Sequence, residues 1–287
     1  MTKKGYCVLK HVIEKQPACV KYVVVATDPN IENDFSNEII QLARKAKILC
    51  YTRGNEPPIS SEEYVFSISW RWIINHPKEK LIVFHDSLLP KYRGFAPLVN
   101  MLIKGERRIG VTALFGSKTY DEGDIILQAS SDINYPITIS EAIDLNIQNY
   151  IELINILVQR ILDKKVITGN RQDESQASYS IWRNNDDYKI DWNQSSSAIE
   201  RFIDAVGRPY SGAITTLSTG EIIRVFKVEQ IEDIVCELRH VGKVVFVDSG
   251  MPVVICGEGL LKITRANMVG PLQKNFLPVK NFRLKFC

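Results

Sequence analysis

Leu81–Gly94 reads LIVFHDSLLPKYRG. Four apolar residues lead to a histidine, and a polar loop with one proline and one glycine follows. A short run that is apolar at every position is the signature of a strand covered on both faces. Similar runs lie outward from it at Val20–Ala26 (VKYVVVA), Ile48–Tyr51, Tyr64–Ile68, Val111–Phe115 and Ile125–Gln128. Helical spacing separates the early ones: Val8, Leu9, Val12 and Ile13 share a face before Pro17, and residues 36–46 (SNEIIQLARKA) continue the pattern. Strands alternating with helices predict an α/β domain with a doubly wound, mostly parallel sheet.

Further along, Thr138-x-x-Glu141 has the form of a capping box, and Ile143, Ile147, Ile154, Val158 and Ile161 repeat at helical spacing after it. A long helix from about Ser140 to Leu162 is expected to close this domain, which spans residues 1–165. Residues 166–207 read as a linker with one short helix starting at Ser197-x-x-Glu200 and ending near Gly207. From 208 to 287 the pattern changes to short strands separated by STGE, DSGM and GEG turns, predicting a small antiparallel β-barrel of OB-like type. Met1–Lys4 is too short and too polar for the strand that normally opens such a sheet. Either the sheet lacks its usual first strand or the chain begins at an internal methionine, and the second is the favoured expectation.

Composition narrows the function. Among 287 residues, 45% are hydrophobic and 24% charged, enough to build a core. No apolar run approaches the roughly 20 residues of a membrane-spanning helix, and no secretory signal is recognisable. The six cysteines form no C-x-x-C pair, which argues against zinc sites and disulfide scaffolds and for a reducing, cytoplasmic compartment. The net charge of +3 divides into +2 before residue 170 and +1 after it. Neither half has the basic excess of a protein that grips a nucleic-acid backbone.

Two segments could carry chemistry. Of the four histidines, His85 alone follows directly on a buried strand, where open α/β sheets bind ligands. Alternatively its ring only satisfies nearby loop carbonyls. YDEGDI (Tyr120–Ile125) offers Asp121, Glu122 and Asp124 beside a glycine, either a solvated turn or a source of a carboxylate that orients the imidazole.

HDSLLPKYRGFAPL (85–98), KGE (104–106), GVTALF (110–115) and YDEGDIILQ (120–128) together resemble the catalytic domain of the N10-formyltetrahydrofolate-dependent formyltransferases. YKIDW (188–192) and the β-rich tail are similar to the C-terminal domain of the methionyl-tRNA enzymes and some nucleotide-sugar enzymes. The resemblance implies a Rossmann-like formyltransferase fold followed by a β-rich C-terminal domain, N10-formyltetrahydrofolate as donor, and no metal. It matches His85 to the catalytic histidine and Asp121 to the catalytic aspartate. At the position of the family asparagine, two residues before the histidine, stands Val83. Either Ser87, a loop N–H or His85 itself replaces that oxyanion donor, or activity is impaired and the protein is a formyltransferase-like binder.

The resemblance also places folate near Trp70, Arg71, Trp72 and Ile73, with Leu88, Lys118, Tyr120 and Asp124 around it and main-chain contacts from 116–120. Without the resemblance, two tryptophans flanking an arginine read as packing. The favoured acceptor is the amine of a nucleotide-linked amino sugar, small enough for a few cations, Lys3 and Lys4 at a helix N-terminus, Arg93 and Arg183, with the Ser87 hydroxyl beside them and Tyr179 and Trp182 stacking on a ring. Tyr179–Tyr188 reads equally as a linker pinned by its aromatics. Methionyl-tRNA is the alternative acceptor. A homodimer is expected from the resemblance alone.

Overall fold

A computed structural model describes residues 2–28, 31–270 and 275–287. It divides into two compact units, one made of residues 1–98, 107–133 and 141–182, the other of 99–106, 134–140 and 183–287. Met1, the first residue of the stretch expected to lack a strand, lies outside the described residues.

The first unit begins with α1 (Lys3–Lys15), which ends just before Pro17 as its sequence requires. β1 (Tyr22–Val25), α2 (Ser36–Lys45) and β2 (Leu49–Thr52) follow, and β1 and β2 pair in parallel. β3 (Val65–Ile68) and β4 (Leu81–His85) are likewise parallel. After the two-residue strand β5 (Arg93–Gly94) comes α3 (Pro97–Lys104), a helix absent from the sequence-based reading. β6 (Arg108–Phe115) and β7 (Ile125–Asp132) complete a four-stranded sheet of order β3-β4-β6-β7. Here antiparallel pairing extends the expected α/β architecture, since β6 runs against β4 and β7 against β6. For β6 and β7 the cause is the loop of residues 116–124, too short for the crossover that a parallel pair needs.

α4 (Ile139–Leu162) covers this sheet. Ile82 and Phe84 of β4 lie in one cluster with Val8 of α1, Val111 and Ala113 of β6, and Tyr150, Leu153, Ile154 and Leu157 of α4. Side chains alternate along a strand, so Val83 and His85 take the other face. The fold thus anchors β4 by one face and offers the histidine from the other. Residues 166–182 fold with this unit, and β8 (Tyr179–Ser180) pairs in parallel with β5.

In the second unit, α5 (Ser196–Val206) is capped by the Ser195 hydroxyl, which accepts from the Ala198 N–H at 3.2 Å. β9 (Ala213–Thr216), β10 (Ile222–Ile231), β11 (Val244–Asp248), β12 (Met251–Ile255) and β13 (Leu260–Met268) form an antiparallel sheet of order β11-β12-β13-β10-β9. Its two edges meet through residues 284–287. Cys287 exchanges both backbone hydrogen bonds with Thr216 of β9, while Leu284 and Phe286 bond to Val244 and Gly242 at the β11 edge. That closure removes both open edges, the usual reason for a small sheet to become a barrel. Phe286 is buried at the seam, 5.6 Å from the Trp192 ring and 6.0 Å from Phe276.

No helix among the described residues is long and apolar enough to cross a membrane. Phe286→Ala is expected to destabilise this unit by about 3–5 kcal/mol, the usual cost of emptying a buried aromatic site. Urea unfolding followed by tryptophan fluorescence measures it, and a loss well under 1 kcal/mol would show that the seam does not hold the sheet.

Candidate active site

β4 delivers His85 to the sheet's C-terminal end, where the ring is 7% exposed. Its Nε2 lies 2.7 Å from the Tyr92 carbonyl oxygen, which only accepts, so Nε2 carries a proton and donates it. Nδ1 faces Asp121 Oδ2 at 3.4 Å. A second proton between these two atoms turns the contact into a charge-assisted bond. Oδ2 also accepts the Gly94 N–H at 2.8 Å. One carboxylate oxygen therefore touches both the imidazole and the loop that follows it.

Each partner is held in place by its own loop. Between His85 and Gly94, the Ser87 hydroxyl donates to the Lys91 carbonyl at 2.7 Å, and the Ser87 carbonyl accepts from Thr112 Oγ1 at 2.7 Å. Thr112 Oγ1 in turn accepts the Leu89 N–H and the Gln128 amide. Asp121 stands at φ 59° in the left-handed region, on the loop between β6 and β7. Gly123 lets that loop fold over the strand end: a Cβ there would lie 1.8 Å from the Phe115 carbonyl oxygen.

Behind the histidine, Asp86 gathers three donors. Lys4 of α1 pairs with Oδ2, while the Tyr150 hydroxyl and Asn146 Nδ2 reach Oδ1 at 3.0 and 3.3 Å. Burial, and then the Asp86 charge, push the Tyr150 phenol well above its ordinary range, so it stays protonated as a donor.

Several expected ligand contacts are corrected by these bonds. Lys4 is buried against Asp86, so its ammonium does not wait for a diphosphate, while Lys3 pairs with Asp144 at the surface, both side chains half-exposed. Ser87 is fully buried with its hydroxyl spent inside its own loop. Arg93 is 0% exposed. Its guanidinium bonds to Gln172 Oε1 at 2.8 and 3.1 Å and to both Glu174 oxygens at 2.8 Å. Those bonds to Arg93 hold the Glu174 carboxyl below its usual range. Arg183 is committed inside the second unit, to Asn100 Oδ1 at 3.2 Å and to the Asp187 carbonyl.

The remaining candidates lie nearer solvent. Trp70 and Trp72 meet edge to face with centroids 5.0 Å apart and pack on the Val25, Ala26 and Ile39 cluster. Arg71 pairs with Asp28 at 3.0 Å, and Ile73 is exposed. The Trp70 indole N–H is buried without a partner among the described residues, a donor open to a bound polar ring. Leu88 packs over Gly110, where a Cβ would meet its Cδ2 at 2.6 Å. Lys118 and Asp124 are exposed. Tyr120 leans on Phe95, centroids 5.7 Å apart. Phe95, Tyr120, Tyr179, Ile181 and Trp182 are all exposed, and together they form an apolar border to the His85–Asp121 pair. Its proximity follows from the bonds: Phe95 adjoins Gly94 and donates its N–H to the Ser180 carbonyl at 3.0 Å. The sequence reading did not single out Gln172, Glu174, Asp86 or Phe95.

Residues 68–147 match the family model for formyl transferase, and residues 184–281 match the model for its C-terminal domain. A methionyl-tRNA formyltransferase of Alkaliphilus oremlandii is 30% identical over 199 residues, 69% of this chain and 62% of that protein. One of Syntrophomonas wolfei is 29% identical over 214 residues, 73% of this chain and 65% of that protein. The chain thus spans a little under two thirds of the length of these curated relatives. Among solved structures, the Helicobacter canadensis N-formyltransferase with folinic acid and dTDP-3-aminofucose aligns at a TM-score of 0.67 and 18% identity, over 91% of this chain and 95% of that one. The sugar 3N-formyl transferase WlaRD, with dTDP and 5-N-formyl-THF, aligns at 0.68 and 19% identity, over 94% and 96%. At such identities the likeness is one of fold.

Proposed function

The chain belongs to the formyl transferase family, matched in both of its domains, and on that footing we propose that it moves a formyl group from N10-formyltetrahydrofolate to the amine of a nucleotide-linked amino sugar. The contact of His85 Nδ1 with Asp121 Oδ2 at 3.4 Å carries the reading, because amine formylation needs a donor for a developing oxyanion and an acceptor for an ammonium proton. N10-formyltetrahydrofolate brings the activated formyl group. His85 Nε2 already donates to an oxygen at 2.7 Å, that of Tyr92, and exchanges it for the formyl oxygen as negative charge grows there. Asp121 balances the imidazolium through Nδ1 and takes the proton from the attacking nitrogen, directly or across one water; as the tetrahedral adduct collapses, the formyl C–N10 bond breaks and N10 takes up a proton, releasing tetrahydrofolate.

Val83, on the same face of β4 as His85, supplies no hydrogen bond where the family resemblance places an asparagine. One lost oxyanion donor is worth about 2.7–4 kcal/mol, so stabilisation falls to His85 and the loop N–H groups. The unpartnered indole N–H of Trp70, with Trp72 and Ile73 beside it, suits a polar heterocycle.

Two features support a nucleotide-sugar acceptor. Phe95, Tyr120, Tyr179 and Trp182 give exposed ring faces next to the pair, suited to a base or sugar ring. The balance of +1 after residue 169 gives little for a tRNA backbone. A methionyl-tRNA acceptor is the second reading, favoured by the identity of the curated relatives.

Acceptors are separated by following tetrahydrofolate release with dTDP-, UDP- and GDP-linked amino sugars beside methionyl-tRNA. Turnover with one sugar class and none with tRNA is expected; formylation of tRNA alone would reject the sugar assignment. His85→Ala and Asp121→Ala are each expected to lower turnover by about a hundredfold or more. A variant that keeps the parent rate would remove its residue from the reaction.

A further inference from the structure

Gln172 belongs to no motif. It sits in a polar stretch without periodicity, yet its side chain is buried and every hydrogen-bonding position of its amide is filled. Oε1 accepts Arg93 Nε at 3.1 Å and Nη2 at 2.8 Å; Nε2 donates to the Asp121 carbonyl at 2.6 Å and the Gly123 carbonyl at 2.8 Å. A primary amide has two lone pairs and two N–H groups to give. Here two bonds go to the loop that follows His85, and two go to the loop that carries Asp121.

Besides Gln172, those loops are joined by the Asp121 carboxylate itself, through Gly94 and His85, and by a longer ion pair of Arg93 with Glu122 at 3.9 Å. That carboxylate projects from a residue in the left-handed region, so its direction depends on how the Asp121 peptide is held. Gln172 bonds to that peptide's oxygen. Its neighbours brace it: Glu174 engages Arg93 bidentately, and β8 pairs with β5 where a Cβ on Gly94 would stand 2.6 Å from the Ser180 oxygen.

We propose that Gln172 is a positioning residue for the reacting pair. By tying the Asp121 peptide to Arg93, it sets the carboxylate so that one oxygen meets His85 Nδ1 and the Gly94 N–H together. The catalytic role of that pair is the reading given under Proposed function, and the inference rests on it.

Gln172→Glu separates positioning from bulk. The side chain keeps its size, and a carboxylate holds Arg93 at least as firmly. On the other side, an oxygen replaces the N–H donors and opposes two carbonyl oxygens, so only the grip on the Asp121 loop is lost. Turnover and amide hydrogen exchange are measured on the full chain. The expected result is a kcat lowered about tenfold or more, as for a misplaced reacting group, with donor and acceptor KM within about twofold. In an Asp121→Ala background, the same change is expected to cost less than about twofold, because the group it positions is already gone. The Gly94 amide, whose N–H binds Asp121, should exchange about tenfold faster, while amides of Val111–Leu114 keep their protection.

Wild-type values of both kcat and Gly94 exchange would overturn the proposal, as would an undiminished kcat loss in the Asp121→Ala background. If no acceptor is turned over, the function assigned above fails, and the exchange measurement alone decides on Gln172. Faster Gly94 exchange then sustains the tie, and unchanged exchange refutes it.

Discussion

A single carboxylate oxygen, Asp121 Oδ2, stands between an imidazole nitrogen at 3.4 Å and a backbone N–H at 2.8 Å. The first partner comes from the end of β4, the second from β5, and the carboxylate from the loop joining β6 to β7. Three chain segments must be correct before that one atom can be where it is. Much of the first unit serves this requirement: the cluster under Ile82 and Phe84 fixes β4, and Gly123 folds the β6–β7 loop back over the strand. The polar segment 170–180 bolts the loops together through Arg93.

Burying a guanidinium entirely is costly unless all its donors find acceptors. Arg93 meets that condition with four bonds to Gln172 and Glu174 and a longer one, at 3.5 Å, to the Tyr179 hydroxyl, so the charge contributes order rather than ligand binding. The same accounting applies to Lys4, whose ammonium is compensated by Asp86. In both cases a cation that could recognise phosphate is consumed by the scaffold, while the rings of Phe95, Tyr120, Tyr179 and Trp182 stay exposed.

The contact of His85 with Asp121 was legible in part from local pattern, and the choice of Asp121 among three neighbouring carboxylates came from the family resemblance. LIVF announces a buried strand, so His85 must emerge at its end, and Asp121 gains meaning once its loop leaves a strand of the same sheet. The antiparallel hairpin was also legible in principle, since residues 116–124 leave no room for a crossover. Other features had no local sign. Gln172 acts on partners 79 and 51 residues away, Lys4 on one 82 residues away, and neither spacing nor composition signals such partnerships. Ser87, Arg93 and Arg183 were read as ligand contacts from residue type alone. Their side chains are spent on a neighbouring carbonyl, on a distant amide and carboxylate, and on the second unit.

His85 Nε2 faces the Tyr92 carbonyl oxygen in this structure, and the proposed reaction puts the formyl oxygen in that place. A crystal structure with folinic acid, whose formyl group resists transfer, tests this directly. The account predicts the formyl oxygen at about 3 Å from Nε2, the span of an oxyanion contact, with the Tyr92 peptide turned aside and Asp121 still on Nδ1. Folate bound elsewhere, or bound with its formyl group beyond reach of Nε2 while Tyr92 keeps its hydrogen bond, would contradict it.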